Sequence, residues 1–262
     1  MTLINTNIIA IANQKGGVGK TTTVINLATA MAACNKKVLI IDSDPQGNAS
    51  TGLGLDKMIL KSNFYDLIRG DISINKAIAK TKIPNLFIIP TSMDLAVVEQ
   101  EFVNLEKREQ RLKKEIEKIN MSFDYILIDC PPSLGLLTLN ALVACKNLLV
   151  PLQVEFYALE GLTQLMETVN QIKNNYNTSL NLQGIVLTMY DKRNKISELV
   201  ACDVKDFFKE KVYKTIIPRN VKISEAPSHG MPILMYDISC SGSQAYASLA
   251  AEIIDQENKL NA

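Results

Sequence analysis

The run Ile8-Ile9-Ala10-Ile11-Ala12-Asn13-Gln14-Lys15-Gly16-Gly17-Val18-Gly19-Lys20-Thr21-Thr22 reads as an apolar strand, a glycine-rich turn and the start of a helix. Glycines let backbone N–H groups crowd around an anion with no side chain in the way. A helix beginning near Gly19 would aim the positive end of its dipole at the same anion. In that setting Gly16, Gly17, Val18 and Gly19 form the cradle of a nucleotide's phosphates. Lys20 can pair with β- and γ-phosphate oxygens, the Thr21 hydroxyl can ligate Mg²⁺, and Thr22 is placed for a further phosphate contact. The fit to GxxxxGK[ST] is incomplete. Gly19-Lys20-Thr21 matches, but the first glycine position holds Gln14, and a second lysine, Lys15, follows it.

A phosphate loop of this kind needs acidic strand ends nearby. Tyr125-Ile126-Leu127-Ile128-Asp129-Cys130-Pro131-Pro132 supplies one. Asp129 closes a buried apolar strand, where an unpaired carboxylate is costly, and a Mg²⁺ ion with its waters would resolve that cost. Val38-Leu39-Ile40-Ile41-Asp42-Ser43-Asp44-Pro45-Gln46-Gly47-Asn48 supplies a second, with two carboxylates at a strand exit. In a parallel sheet such exits face the ligand crevice. Phosphoryl transfer to water needs a group that orients the nucleophile. Asp44 is the candidate for that role, with Asp42 as its support and a further metal candidate; the alternative for either residue is a simple Asx turn.

The elements around these residues alternate. Short apolar runs at Ile8–Ala12, Val38–Ile41, Leu86–Ile89, Tyr125–Ile128, Leu148–Leu152, Ile185–Met189 and Val212–Ile217 are separated by stretches with helical spacing. The latter include Leu105, Leu112, Ile116 and Ile119, and also Leu159, Leu162, Leu165, Met166 and Val169. Strands that are apolar at consecutive positions have both faces covered. The expected fold is therefore α/β: a doubly wound, mostly parallel sheet with helices on both faces, in one domain over residues 1–262. Gly47–Asn63 reads as irregular, and the mixed charges of Glu106–Lys118 read as a solvated outer helix with i,i+4 pairs.

The bulk numbers narrow the classes. With 28 basic and 27 acidic residues the chain is no histone-like polycation, although a local basic patch is compatible with that balance. Cys34, Cys130, Cys145, Cys202 and Cys240 include no CxxC pair and no zinc spacing, and read as buried or semi-buried thiols of a reducing cytosol. The N-terminus lacks the features of a signal peptide, and no apolar run is long enough to span a bilayer. His229 reads as structural or as part of a nucleotide-side loop.

KGGVGKTT, DSDPQGN and ILIDCPP together resemble the ParA/Soj branch of the deviant Walker ATPases, P-loop NTPases that include MinD and the nitrogenase iron protein. The likeness continues through Glu155–Gly161, Leu187–Asp191 and Ile217–Gly230, the last being most similar to chromosomal Soj proteins. The resemblance implies a homodimer that sandwiches two ATP molecules, with Lys15 reaching across to the partner's nucleotide. It implies slow ATP hydrolysis, with Lys15, Lys20 and Asp44 as the catalytic set. Thr21 would be a metal ligand, with Asp129 acting through water and Asp42 as a further candidate. Met189, Pro218 and Asn220 would hold the adenine.

The resemblance further implies non-specific DNA binding by the dimer and stimulation by a ParB/Spo-type centromere-binding partner, in a cytoplasmic, nucleoid-associated protein. Between Tyr190 and Lys222 there are nine basic and five acidic residues, a local surplus that would bind phosphates without reading sequence. Arg193 and Arg219 match DNA-contacting positions of the family, with Lys222 as a neighbouring candidate. A MinD-like membrane role would need a basic amphipathic C-terminal helix, whereas Asp255–Ala262 is polar and slightly acidic. A cargo-positioning or regulatory ATPase with the same nucleotide switch is the remaining alternative.

Overall fold

The computed structural model describes residues 6–55 and 62–260. Its centre is a sheet of eight strands: β1 (Asn7–Ile11), β2 (Val38–Asp42), β3 (Ala79–Lys80), β4 (Leu86–Ile89), β5 (Tyr125–Asp129), β6 (Asn147–Gln153), β7 (Asn181–Tyr190) and β8 (Val212–Pro218). They are ordered β3-β4-β2-β5-β1-β6-β7-β8, and all are parallel except β3, which runs antiparallel to β4 at the edge. All seven apolar runs are strands. The eighth, Ala79–Lys80, is two residues long and carries no apolar pattern.

Alternate residues of each strand feed two separate cores. Ile8, Ala10, Leu39, Ile41, Ile126 and Ile128 face the layer that contains helices Phe64–Arg69, Arg111–Ile116, Leu136–Ala144, Ala158–Asn175 and Lys195–Phe208. Ile9, Ile11, Val38, Ile40 and Leu127 face the layer built on helices Lys20–Ala33 and Ser241–Leu260. This double covering is why the strands lack polar alternation. Each fully buried Leu or Ile contributes about 1.5–3 kcal/mol of transfer free energy, so the two layers hold the sheet rigid from both sides.

Several local expectations change. Leu105 is exposed, and the charged stretch is not one helix: a left-handed Lys107 leads into a 3₁₀ turn, Arg108–Gln110, and only Arg111–Ile116 is α-helical. The break has a cause. Buried Asn140 accepts a hydrogen bond from the Leu112 N–H and donates one to the Arg108 carbonyl, satisfying backbone groups that a longer helix would have paired. The charge pair seen in this stretch is Glu115–Lys118, at i,i+3. Asn48–Gly52 forms a short helix inside the segment expected to be irregular, and part of that segment, 56–61, lies outside the described residues. The helix over Ala245–Ile254 extends from Ser241 to Leu260. Its polar end docks: Glu257 accepts hydrogen bonds from Asn7, Tyr125 and Gln183 at the lower edge of the sheet. Among the described residues no helix is long and apolar enough to cross a membrane.

Packing is tight where β7 passes Tyr213. A Cβ built on Gly184 would lie 2.4 Å from the Tyr213 ring, whereas one on Gly161 in helix Ala158–Asn175 would meet nothing within 4 Å. Gly184→Ala should therefore lower unfolding stability by about 1–3 kcal/mol. Gly161→Ala should raise it by about 0.5–1 kcal/mol through reduced backbone entropy of the unfolded chain. Urea denaturation of both variants checks the pair, and equal effects at the two positions would contradict the packing account.

Candidate functional site

The sheet order brings the chemistry together. β5 lies between β2 and β1, and the registers pair Asp42 with Asp129 and Asp129 with Ile11. The carboxylates that end β2 and β5 are therefore neighbours on one face, beside the strand that feeds the glycine-rich turn. Cross-strand hydrogen bonds lock this end: Ser43 donates its N–H (3.1 Å) and hydroxyl (2.6 Å) to the Asp129 carbonyl, and Cys130 N–H donates to the Ile11 carbonyl (3.2 Å).

The turn forms a cradle. Gly17 (φ 76°) and Gly19 (φ 91°) adopt left-handed conformations that a side chain would strain. Helix Lys20–Ala33 begins on Gly19 without a side-chain cap, so its first N–H groups remain available to an anion. Gly16, Gly17, Gly19, Lys20, Thr21 and Thr22 line a cavity of about 310 Å³ with Asp44, Gln46, Asn48, Pro132 and Met189. Val18 is buried and does not line that cavity. Both lysines are engaged within the chain. The Lys20 ammonium donates to the Lys15 carbonyl at 2.9 Å, and the Lys15 ammonium forms an ion pair with Glu155.

Three carboxylates stand opposite. Asp44 lines the cavity and also makes an Asx turn, accepting from the Gln46 N–H at 3.0 Å. Asp42 Oδ2 accepts from both the N–H (2.9 Å) and the hydroxyl (2.7 Å) of Ser50, so this residue anchors the short helix Asn48–Gly52. Asp42 Oδ1 and both oxygens of Asp129 are buried without a hydrogen-bond partner among the described residues. Burial pushes the Asp42 carboxyl up to about 6, against the pull of Ser50. Burial and then the Asp42 charge hold Asp129 well above the usual carboxylate range, with the Thr21 hydroxyl and then Lys20 pulling the other way. Burial lowers the Lys20 ammonium, and Asp129 offsets part of that. Buried oxygens of this kind suit a hard cation, and the Thr21 hydroxyl adds another oxygen donor. Among the described residues no group of three or more His, Cys, Asp or Glu could hold a metal ion. A cation here would need waters or ligand oxygens as well, as is usual for Mg²⁺.

The remaining expected residues divide. Met189 reaches the glycine-rich cavity. Pro218 lies in an adjacent, more open cavity of about 800 Å³ with Arg193, Arg219, Lys192 and Lys214. Asn220 uses its amide structurally, donating to Ser241 and capping helix Val221–Glu225 through the Lys222 N–H. Arg193 makes a two-toothed contact with Asp191, at 3.0 and 2.9 Å, which holds that carboxyl down at about 2. Lys222 is paired with Glu225 at 4.0 Å and lies outside that cavity. Cys34 and Cys202 correct the expectation of buried thiols: both are exposed, one capping the end of helix Lys20–Ala33, the other on helix Lys195–Phe208. Cys130 and Cys145 are buried and their thiols are pushed up, Cys145 to about 12, which leaves both unreactive.

Sequence reasoning assigned no role to Ser50, Asn13 or Thr188. Asn13 donates to the Pro151 carbonyl (2.8 Å) and accepts from the Lys15 N–H (3.0 Å); Thr188 donates to the Val18 carbonyl (2.8 Å). The signal for Asn13 and Thr188 was a polar residue at the end of an apolar strand.

A raised carboxylate makes stability fall as pH rises, because the folded chain binds more protons than the unfolded one between the two pKa values. For Asp42 that window runs from 3.8 to about 6, and the loss is on the order of 2 kcal/mol. In nucleotide-free, magnesium-free protein, the melting temperature of Asp42→Asn should gain on that of wild type by roughly 4–8 °C between about pH 4.5 and pH 7.5. Calorimetry at both pH values reads the gap; a gap that does not change with pH would mean that Asp42 titrates normally.

The description "AAA domain" fits the family model that matches residues 6–182. The chain is 54% identical over 252 residues to the chromosome partitioning protein ParA of Caulobacter vibrioides (strain NA1000 / CB15N), covering 95% of this chain and 94% of that one. It is 50% identical over 246 residues to the sporulation initiation inhibitor protein Soj of Bacillus subtilis (strain 168), covering 94% and 97%. A solved structure of cobyrinic acid a,c-diamide synthase from Mycobacterium smegmatis, with bound ADP and magnesium, is similar at a TM-score of 0.82 and 35% identity, over 94% of this chain and 93% of that one. With identity of this level running almost end to end, and with the glycine cradle and paired strand-end aspartates in place, the chain belongs to the ParA/Soj family of P-loop ATPases.

Proposed function

We propose that this chain is a magnesium-dependent ATPase that dimerises around ATP, binds non-specific DNA as a dimer, and serves chromosome or plasmid partitioning. The observation that carries the reading is the glycine cradle set against buried carboxylate oxygens that lack partners. Such oxygens are costly unless a proton or a cation neutralises them. The ADP and magnesium in the similar M. smegmatis enzyme support the same pairing here.

In this reading, backbone N–H groups of Gly16–Gly19, the Lys20 ammonium and Thr22 bind the phosphates. Thr21, Asp129 through water and Asp42 hold Mg²⁺, which supplies positive charge to the phosphate oxygens. Met189 and Pro218 cover the base, and Asn220 reaches its edge by exchanging Ser241 for it. Asp44 orients the attacking water; a P–O bond forms to the γ-phosphorus as the bond to the bridging oxygen breaks, the water's proton passes through the phosphate to solvent, and ADP and phosphate leave. Lys15 exchanges Glu155 for the partner's nucleotide, so assembly and chemistry are linked. Arg193, Arg219 and Lys222 contact DNA phosphates, and a ParB-type centromere-binding protein stimulates slow turnover. The protein works in the cytoplasm on the nucleoid.

DNA binding by the purified protein with ATP, ADP or no nucleotide tests the reading. Binding should require ATP and weaken steeply with salt, by about 0.9 in log K per log unit of salt for each phosphate neutralised. Lys15→Ala should abolish it, and Asp44→Ala should retain it because its ATP dimer persists. ATP-driven dimerisation without DNA binding would leave the switch standing and remove the partitioning role.

A further inference from the structure

The upper end of β7 is irregular. Its pairing with β8 slips between Leu187 and Tyr190, and Met189 within the slip takes a left-handed conformation (φ 53°). Left-handed backbone at a bulky residue is uncommon and persists where its surroundings fix it. On the other side β7 keeps its register with β6, pairing Thr188 with Gln153. Two consecutive residues thus turn towards the glycine-rich loop. Met189 lines its cavity, and the almost fully buried Thr188 donates its hydroxyl to the Val18 carbonyl at 2.8 Å.

Val18 sits between the two left-handed glycines, Gly17 and Gly19, which are the residues most free to rotate. In a planar trans peptide, C=O and N–H point in opposite directions. Holding the Val18 carbonyl towards β7 therefore aims the Gly19 N–H away from β7. If that peptide turned over, the loop would present a carbonyl where a phosphate needs a donor.

We propose that Thr188 is a positioning residue for the phosphate site: its hydroxyl fixes the Val18–Gly19 peptide so that the Gly19 N–H stays available to a phosphate. The inference rests on the nucleotide reading above and adds to it a residue on a distant strand. Asn13 ties the start of the same loop to β6 through the Pro151 carbonyl, so the loop is fastened at two points and Thr188 holds the one nearer the helix.

The test compares Thr188→Val, which keeps the branched shape and removes the hydroxyl, with Thr188→Ser, which keeps the hydroxyl. Calorimetric titration with Mg·ATP and Mg·ADP should show a roughly tenfold weaker Kd for Thr188→Val, the effect of leaving one buried carbonyl unpaired and its peptide free. Thr188→Ser should stay within about threefold of wild type. In ¹⁵N-correlated spectra of the nucleotide-free protein, the Gly17 and Gly19 amide peaks should shift or broaden in Thr188→Val and return in Thr188→Ser. Should Thr188→Val not fold, Thr188→Ala removes the same hydroxyl and reads the same way. Unchanged Kd and unchanged glycine peaks in the variant, or a serine variant as impaired as the valine one, would overturn the proposal. Failure of wild type to bind either nucleotide would instead sink the nucleotide reading, and the glycine peaks would still decide whether Thr188 holds the loop.

Discussion

Two aspartates placed side by side on adjacent parallel strands, both buried, constrain everything around them. Neighbouring strands lie about 4.8 Å apart, and two like charges at that spacing repel by on the order of 3 kcal/mol at an effective dielectric of 20. Asp42 and Asp129 occupy such a pair at the ends of β2 and β5. The protein relieves only part of the cost: Ser50 serves one oxygen of Asp42, and the Thr21 hydroxyl and then Lys20 pull the Asp129 carboxyl down against its burial. The sheet order makes the remainder useful. With β5 between β2 and β1, the unpartnered oxygens come to lie beside the turn whose helix offers unpaired N–H groups. Negative and positive groups face each other across one crevice, where a bound metal and phosphate would satisfy both.

That arrangement holds only if the backbone around it cannot relax, and the buried amides and hydroxyls are spent on preventing that. Asn26 donates to the Thr22 carbonyl and accepts from the Ile233 N–H, fixing the first turns of its helix to the chain beyond β8. Asn140 holds the break before Arg111–Ile116. Asn177 donates to the carbonyls of Leu142 and Cys145. A buried polar group that finds its partners specifies one geometry. Among the described residues Gln183 Oε1 and the Tyr213 hydroxyl are also buried without partners, but Asp42 and Asp129 alone bring such carboxylate oxygens together on neighbouring strand ends, which marks a site rather than a flaw.

The same contrast explains what the sequence disclosed. Strands covered on both faces must be apolar at every position, so seven of eight were legible; β3 has too few residues to carry a pattern. The glycine turn was legible because its conformation demands glycine. The strand-end aspartates were legible because charge is rare in such runs. What could not be read was decided by residues remote in the chain. The helix over 105–119 breaks because Asn140 claims its backbone. Thr188 meets Val18 at a separation of 170 positions, and Glu155, just beyond the end of β6, meets Lys15. Asn220 has the right atoms to read a base edge, yet Ser241 and the Lys222 N–H already engage them. Local pattern says which groups are present, and only the sheet order says which of them meet.

Surface charge follows the same reasoning to a functional consequence. The segment Tyr190–Lys222 carries a basic surplus, but Asp191 takes both arms of Arg193 and Glu225 takes Lys222. Arg193 holds the Asp191 carboxyl down, so this carboxylate stays ionised across the physiological range and offsets part of the charge that Arg193 would bring to a phosphate. Among the described residues, Lys192, Lys214 and Arg219 are the cations of the adjacent cavity without such an ion pair. One copy would thus neutralise few phosphates and hold a duplex weakly at cellular salt. In the proposed dimer the second copy binds the same duplex at high effective concentration, so the two weak contacts multiply. For the proposed switch, partial self-neutralisation would therefore be an advantage. A face basic enough to hold DNA as a monomer would bind in every nucleotide state, whereas one kept near the threshold binds when two copies are joined and releases when they part.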